Sequence, residues 1–450
     1  MMDMFARFQC LQPHMTVTTL RQFSRMALAM LMMTGRVTML SISRWAGKGG
    51  SYRTVQRLFS QALPWGMLFW VFFRQHVYRP GDVYLLAGDE VVVTKAGKHT
   101  YGLDRFFASL YGKPVPGLSF FALSLVSVQE RRSCPIRVEQ VVRSEAEKAA
   151  SKAKARAKKP QPSTEKRRPG RPKGSKNKAK AAVTLTPELL RIQSMIEALL
   201  HLIAKVIPLT YLVLDGHFGN HNALRTAQQC HLHLISKLRS DAALYMPYDG
   251  PYAGTGPHRK YGSKLDYRSI PEKYLKATTV EDHIQTCIYQ AQLLHKEFAQ
   301  SLNVVIIVKT NLHTHAKAHV ILFSGDLELS YDTLRDYYSL RFQIEFNFRD
   351  AKQYWGLEDF MNITPTGVTN AANLSLFMVN VVYRLQADVR QHDPDYSILD
   401  LKADCRGYKY VEETIKMLPA KPEPVLLGRI LHKVASLGRI HASQPSFSFS

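Results

Sequence analysis

Two aspartates of this chain follow short apolar runs. Asp89 comes directly after VYLLAG, and Asp215 comes directly after LTYLVL. Each run predicts a buried strand that ends at a turn, so both acids are expected at strand ends. A buried carboxylate is costly unless it pairs with a cation or binds a metal ion. In a chain with 60 basic and 36 acidic residues, the two aspartates are therefore candidates for a cation-binding site.

A third candidate acid, Glu345, lies in a segment that predicts one long helix over residues 331–354. At about 100° per residue, one stripe about 60° wide holds four polar residues: Tyr338, Arg341, Glu345 and Lys352. An Arg341–Glu345 ion pair one turn apart would explain two of them and contribute a few tenths of a kcal/mol. It does not explain Tyr338 and Lys352. The stripe therefore predicts a largely buried helix whose polar side chains face a site.

The spacing Y-x2-R-x3-E-x6-K resembles the Y-R-E-K signature of DDE transposases of bacterial insertion sequences, in the large cut-and-paste group. Lys95-x-Gly97-Lys98 after the first aspartate is similar to that group's first aspartate block, and DGHFGN is similar to its second. The segments 234–245 and 322–330 resemble the stretches after the second aspartate and before the glutamate helix. The resemblance covers roughly residues 80–390.

The resemblance implies an α/β fold with a ribonuclease-H-like (retroviral-integrase-like) catalytic core, a mostly β insertion domain and an N-terminal helical DNA-binding region. The first aspartate would lie on the first strand, the second just after the fourth, and the glutamate on a later helix. The expected divisions are 1–80 (helical region), 81–142 with 181–240 (first part of the core), 143–180 (basic insertion), 241–330 (β-rich insertion domain), 331–395 (glutamate helix and the next helix) and 396–450 (tail for dimer or DNA contacts).

The resemblance also implies the chemistry. Asp89, Asp215 and Glu345 would be catalytic and would hold two Mg²⁺ ions, with Mn²⁺ as a substitute, for the phosphoryl transfer that cuts element ends and joins them to target DNA. Arg341 and Lys352 would hold phosphates, and Tyr338 would stack on a base or bond a phosphate. The implied partners are double-stranded DNA (terminal inverted repeats and target) and a second copy of the chain in a homodimer.

Half of the net charge of +24 lies in residues 143–180, which hold 15 Lys or Arg and three Glu. This segment has no aromatic residue and almost no large apolar one, which predicts disorder in the free protein. Its motif RPGRPKG resembles an AT-hook, an arm that places arginine in the minor groove of A·T-rich DNA. Arg168, Arg171 and Lys173 would then contact DNA. The alternative is a solvated basic linker without a preferred site.

The pattern of residues 18–80 predicts helices. The turn at residues 47–50 separates two short helices, and Ser51 is expected to cap the second. With Arg53, Gln56 and Arg57 facing outward, this unit resembles a small helix-turn-helix domain that binds DNA. The alternative is a helical cap on the neighbouring domain.

Several protein classes are excluded by the composition. The longest apolar run, residues 62–73, is shorter than the roughly 20 residues needed to span a bilayer, and the N-terminus lacks the layout of a secretory signal. Five scattered cysteines without a C-x-x-C motif argue against a disulfide scaffold. We expect a cytoplasmic, nucleoid-associated bacterial protein with no membrane partner and no small-molecule substrate.

Other interpretations stay open for a few residues and for the whole chain. His217 and His221 could join Asp215 in a zinc site or only flank a site for hard cations. Trp355 could support a flipped base or pack in the core. An inactive transposase-derived DNA-binding protein, or a structural nucleoid protein, would share the basic charge, but an inactive relative is expected to have lost one of the acids.

Overall fold

The computed structural model describes residues 3–441, apart from 109–110, 150–184, 204, 253, 255 and 421. The protein is a mixed α/β structure around one large mixed sheet. Arg168, Arg171 and Lys173, the residues of the AT-hook-like motif, lie outside the described residues. No helix among those described is long and apolar enough to cross a membrane.

The helices are α1 (Met4–Arg7), α2 (Val17–Met32), α3 (Met39–Trp45), α4 (Tyr52–Ser60), α5 (Trp65–His76), α6 (Pro187–Ile203), α7 (His221–Gln229), α8 (Tyr331–Leu340), α9 (Gln343–Tyr354), α10 (Pro365–Arg390), α11 (Ile398–Met417) and α12 (Pro424–Ser436). The strands are β1 (Tyr84–Thr94), β2 (Asp104–Ala108), β3 (Lys113–Ser127), β4 (Arg132–Val141), β5 (Tyr211–Leu214), β6 (His233–Leu238), β7 (Leu244–Pro247), β8 (Tyr261–Lys264), β9 (Leu275–Glu281), β10 (Ile284–His295), β11 (Ser301–Asn311) and β12 (Lys317–Ser324). Short 3₁₀ helices span Gln9–His14, Gly216–Phe218 and Glu272–Tyr274.

The strands form one sheet in the order β2-β3-β1-β5-β6-β12-β11-β10-β7-β8, with β4 also paired to β3 and β9 to β10. β1 is antiparallel to β3 and parallel to β5, and β5 is parallel to β6. Parallel neighbours need a crossover connection, which α7 provides between β5 and β6. The strands β7–β12 extend the same sheet, because β12 pairs with β6.

Asp89 lies in the middle of β1, so the predicted turn at this aspartate is wrong. The strand continues to Thr94 because its whole length pairs with β3, where Asp89 is opposite Ala122. Gly88 allows the close packing beside it, since a Cβ there would come within 2.9 Å of Leu214. Asp215 does follow the end of β5, as the apolar run predicts.

The predicted single helix over 331–354 is in fact two helices, α8 and α9, with Arg341 and Phe342 between them. At this joint the hydrogen bonds run to the third preceding residue, as in Arg341 N to Tyr338 O (3.2 Å) and Glu345 N to Phe342 O (3.1 Å). A segment of this kind turns faster than an α-helix, with three residues per turn. The angular arithmetic of one ideal helix therefore fails across the joint.

The N-terminal helices share a core with α10. Phe377 of α10 is fully buried, and its ring lies 5.1–6.1 Å from five other aromatic rings: Phe8, Phe23, Trp65, Phe69 and Phe72. Asn370, also in α10, accepts a hydrogen bond from Trp65 Nε1 (2.8 Å) and donates one to Phe59 O (2.9 Å). Residues from both ends of the chain therefore stabilise one apolar centre.

Helices α3 and α4 flank the turn at residues 47–50, as predicted. Ser51 Oγ accepts a hydrogen bond from Thr54 N (3.4 Å), which confirms the predicted cap. Arg53, Gln56 and Arg57 are exposed, also as predicted. The segment predicted to be a tail contains α11 and α12, which pack together at Gly407, where a Cβ would lie 2.5 Å from Ala435 Cα.

Candidate active site

The side chain of Arg341 joins two of the three predicted acids. Arg341 Nη1 donates to Asp89 Oδ2 at 2.9 Å, and Nη2 donates to Glu345 Oε1 at 2.9 Å. The Arg341 and Asp89 side chains are 14% and 21% exposed, whereas Glu345 is 41% exposed. The joint between α8 and α9 thus brings Arg341 and Glu345 to the centre of β1. Arg341 and Asp89 are 252 positions apart in sequence.

Asp215 lies beside Asp89 because β1 and β5 are parallel neighbours. Gly88 pairs with Leu214, so the residues that follow them are the two aspartates. Ser236 of β6 donates its hydroxyl to Asp215 O at 2.7 Å, and Asp215 Oδ1 accepts the backbone N–H of His217 at 3.1 Å. Sequence reasoning missed Ser236, although a serine within an apolar strand is a signal for a buried hydrogen bond.

Burial raises the pKa of Asp89 to about 6. The Arg341 guanidinium opposes this shift, while the negative charges of Asp215 and Glu345 add to it. Burial also raises the pKa of the Tyr338 hydroxyl. Tyr338, Arg341 and Asp215 line one cleft together with Lys237 and Arg239, two basic residues at the end of β6. The cleft therefore combines one carboxylate, that of Asp215, with several cations.

Lys352 contacts β1 and the segment that follows α9. Its Nζ donates to Val92 O at 2.9 Å and lies 3.1 Å from Glu358 Oε1. Lys95 donates to Glu358 O (3.0 Å) and Phe360 O (2.8 Å), and its Nζ lies 3.7 Å from the centre of the Phe360 ring. The two lysines thus connect residues 358–360, which follow α9, to β1 and the residue after it. Sequence reasoning noticed Lys95 only as part of a motif and missed this contact.

The three acids do not form a ready ligand set for a metal ion. In the part of the chain that the structure describes, no group of three or more His, Cys, Asp or Glu residues is arranged to hold one. Arg341 stands between two of the acids and already bonds both. Carboxylate oxygens are nevertheless the ligands that hard divalent cations prefer. Two of these carboxylates already bind a cationic group, the guanidinium of Arg341.

The surroundings of His217, His221 and Trp355 bear on the two interpretations left open above, a zinc site and a contact with a flipped base. His217 Nε2 lies 3.5 Å from Glu188, and the hydrogen bond to Glu188 raises the pKa of His217. His221 lies edge-on to the Phe298 ring, with centroids 6.0 Å apart. The zinc interpretation therefore gains no support from the described residues. Trp355 is fully buried, which favours core packing over contact with a flipped base.

Comparison with known proteins identifies a family for this chain. No curated protein matches the chain. The family model of the DDE superfamily endonucleases matches residues 10–300, which is more than half of the chain. The matched region contains Asp89 and Asp215 and ends before Glu345, whose link to the site is the bond through Arg341. The chain belongs to the DDE superfamily endonuclease family.

Proposed function

We propose that the protein is the DNA transposase of a bacterial insertion sequence. It would bind the terminal inverted repeats of its own element, cleave the DNA there and join the 3′ ends to target DNA. The observation that carries the proposal is the meeting of three acids from separate elements: Asp89 lies beside Asp215 and is joined to Glu345 by Arg341. Arg341 and Asp215 also line a cleft with basic residues. A homodimer that holds two ends, in the nucleoid of the cytoplasm, is part of the proposal.

A ribonuclease-H-like core is also part of the proposal, and the strand order supports it. Three antiparallel strands, β4-β3-β1, continue into two parallel ones, β5 and β6. Asp89 is on the first of these strands along the chain, and Asp215 directly follows the fourth. The carboxyl ends of parallel strands meet at one edge of a sheet, where open α/β sheets bind their ligands.

The family typically uses divalent metal ions, and Asp89, Asp215 and Glu345 would hold two Mg²⁺ ions or Mn²⁺ in their place. Bound cations would activate the attacking water or 3′-hydroxyl and stabilise the leaving oxygen. The chain's own residues orient the DNA: Arg341 can grip a phosphate with its planar fork, and Tyr338 beside it can stack on a base or bond a phosphate. Lys352 bonds to Val92 O of β1 and pairs with Glu358. It would contact DNA only after these two interactions break.

The test is cleavage of a supercoiled plasmid that carries the DNA flanking this coding sequence. With Mg²⁺ or Mn²⁺ we expect nicked and linear products with breaks at the element ends, and none with EDTA. A plasmid without the flanking DNA is the control. Binding to the flanking DNA without any cleavage would instead support the alternative, an inactive DNA-binding relative.

Divalent metal is expected to stabilise the protein in a pH-dependent way. Because the pKa of Asp89 is raised to about 6, this carboxyl is mostly protonated below that pH, and the proton competes with the metal for it. Binding to the folded state alone raises stability, by about 2.7 kcal/mol at 100 times Kd. In thermal unfolding without DNA, 10 mM Mg²⁺ should therefore raise Tm at pH 8 and leave it almost unchanged at pH 5.

The same experiment with Asp89→Asn provides the control for that prediction. The amide does not titrate in this range, so the difference between pH 5 and pH 8 in the metal-induced shift should largely disappear. An equal shift at both pH values in the unmodified protein would contradict a metal site that includes Asp89.

The exposed face of α4 is expected to bind the phosphates of the DNA backbone. Replacing Arg53 or Arg57 by alanine should weaken DNA affinity and reduce the slope of log K against log salt by about one unit each, because each arginine would release one counterion. Fluorescence anisotropy over a salt series measures both quantities. Arg74→Ala is the matched control, since Arg74 is also exposed but lies in α5, outside the helix-turn-helix unit. Equal effects of all three variants would contradict a specific role for α4.

A further inference from the structure

Arg341 occupies the position between two carboxylates that a catalytic cation would need. We propose that Arg341 is a positioning residue that competes with the metal for Asp89 and Glu345 while DNA is absent, and that a DNA phosphate draws it away from these two acids. DNA binding and divalent-metal binding would then promote each other. This inference rests on the proposed function, because it assumes that the acids bind metal and that the cleft binds DNA.

The competition follows from the bonds that Arg341 makes. Its guanidinium uses two of its nitrogens on two different carboxylates, each at 2.9 Å. The oxygen lone pairs in these bonds are the ones a divalent cation would need, so the arginine and the metal exclude each other there. The Arg341 and Asp89 side chains are only 14% and 21% exposed, so this pair forms in a partly desolvated place, where ion pairs are stronger than in water. The pair with Glu345 is more exposed and therefore weaker.

A phosphate offers Arg341 an alternative partner of equal charge and better geometry. Arginine binds phosphate through two parallel hydrogen bonds, so the guanidinium would stay paired when it leaves the acids. The cleft beside it is lined by Lys237 and Arg239, which are both exposed. Arg239 pairs with the exposed Asp241, at 3.1 Å. These cations provide a place where a DNA backbone would come within reach of Arg341.

The backbone at Arg341 suits a side chain that changes partners. Arg341 and Phe342 form the joint between α8 and α9, where the regular helix hydrogen bonds are interrupted. Phe342 is 50% exposed, so the joint is packed on one side only. A small adjustment there would move the guanidinium without unpacking either helix. Coupling between two ligands is reciprocal. If DNA raises the affinity for the metal by displacing Arg341, the metal raises the affinity for DNA by the same factor.

The test measures Mn²⁺ binding to the full chain by electron paramagnetic resonance, with and without a 20-base-pair duplex of unrelated sequence. For the unmodified protein we expect the duplex to raise Mn²⁺ affinity at least ten-fold. In Arg341→Gln, Mn²⁺ should bind at least ten-fold more tightly than in the unmodified protein without DNA, and the duplex should add little. Arg341→Lys should lie between the two, because an ammonium cannot form the fork that bridges both acids.

Arg349→Gln is the matched control, because Arg349 lies in α9 but pairs with Asp350 and is 59% exposed. Its Mn²⁺ affinity and its response to the duplex should equal those of the unmodified protein. Unchanged or weaker Mn²⁺ binding in Arg341→Gln without DNA would overturn the inference, and if that variant does not fold, the same result in Arg341→Lys would do so. Failure of the proposed function looks different: Asp89→Asn and Glu345→Gln would then leave Mn²⁺ binding unaffected.

Discussion

DNA cleavage should fall at least about 10³-fold when Asp89 or Asp215 is replaced by asparagine, or Glu345 by glutamine, because a two-metal site needs each carboxylate to hold its cations. Affinity for DNA, measured in EDTA so that coupling to the metal is absent, should not fall, since the acids are proposed to bind metal rather than DNA. A time course of plasmid nicking measures the first quantity. Fluorescence anisotropy with the flanking DNA measures the second.

Asp350→Asn is the matched control for this set. Asp350 lies in α9 like Glu345, and its side chain is 16% exposed, but its partner is Arg349. This variant should cleave at the unmodified rate. An active variant at one of the three acids would remove that residue from the site. Equal loss in Asp350→Asn would show that cleavage responds to any lost carboxylate in this region.

Local sequence predicts the place of Asp215 in the fold, but it does not predict the place of Asp89. Asp215 follows an apolar run, and this pattern correctly places it at the end of β5. The same argument fails for Asp89, because the pairing with β3 carries β1 past it. Pairing between strands depends on residues far apart in sequence, which a local pattern does not contain.

The glutamate helix shows the same limit. Ideal helix geometry places Lys352 on the stripe with Glu345, and both do lie in α9, but Lys352 is two turns further along the helix and bonds to Val92 O of β1. The joint at Arg341 instead shifts Tyr338 and Arg341 relative to the other two residues of the stripe. The Arg341–Glu345 bond could be predicted from spacing alone. The bond from Arg341 to Asp89 could not, although it is the contact that joins the two parts of the site.

For the N-terminal helices, sequence predicts their existence and the Ser51 cap, because helix period and capping are local signals. It does not show that they surround α10. The aromatic residues of α5 belong to a run that suggests only burial, and their partner Phe377 is about 300 positions away. Whether these helices unfold independently of α10 depends on how much the packing around Phe377 contributes to stability, and a substitution at Phe377 measures that contribution.

Phe377→Ala should lower the free energy of unfolding by about 3–5 kcal/mol, because the fully buried ring is in contact with five aromatic rings and its loss leaves a cavity. Phe342→Ala is the matched control: the same atoms are removed from a side chain that is 50% exposed, and the loss should stay below about 1 kcal/mol. Urea unfolding followed by far-UV circular dichroism measures both. If the N-terminal helices were independent of α10, Phe377→Ala would leave their unfolding midpoint unchanged and shift only a separate transition of the remaining chain. A common shift of the whole transition is the result expected from one shared core. It would mean that α4, the helix proposed to bind DNA, belongs to the same cooperative unit as α10, the helix that follows α9.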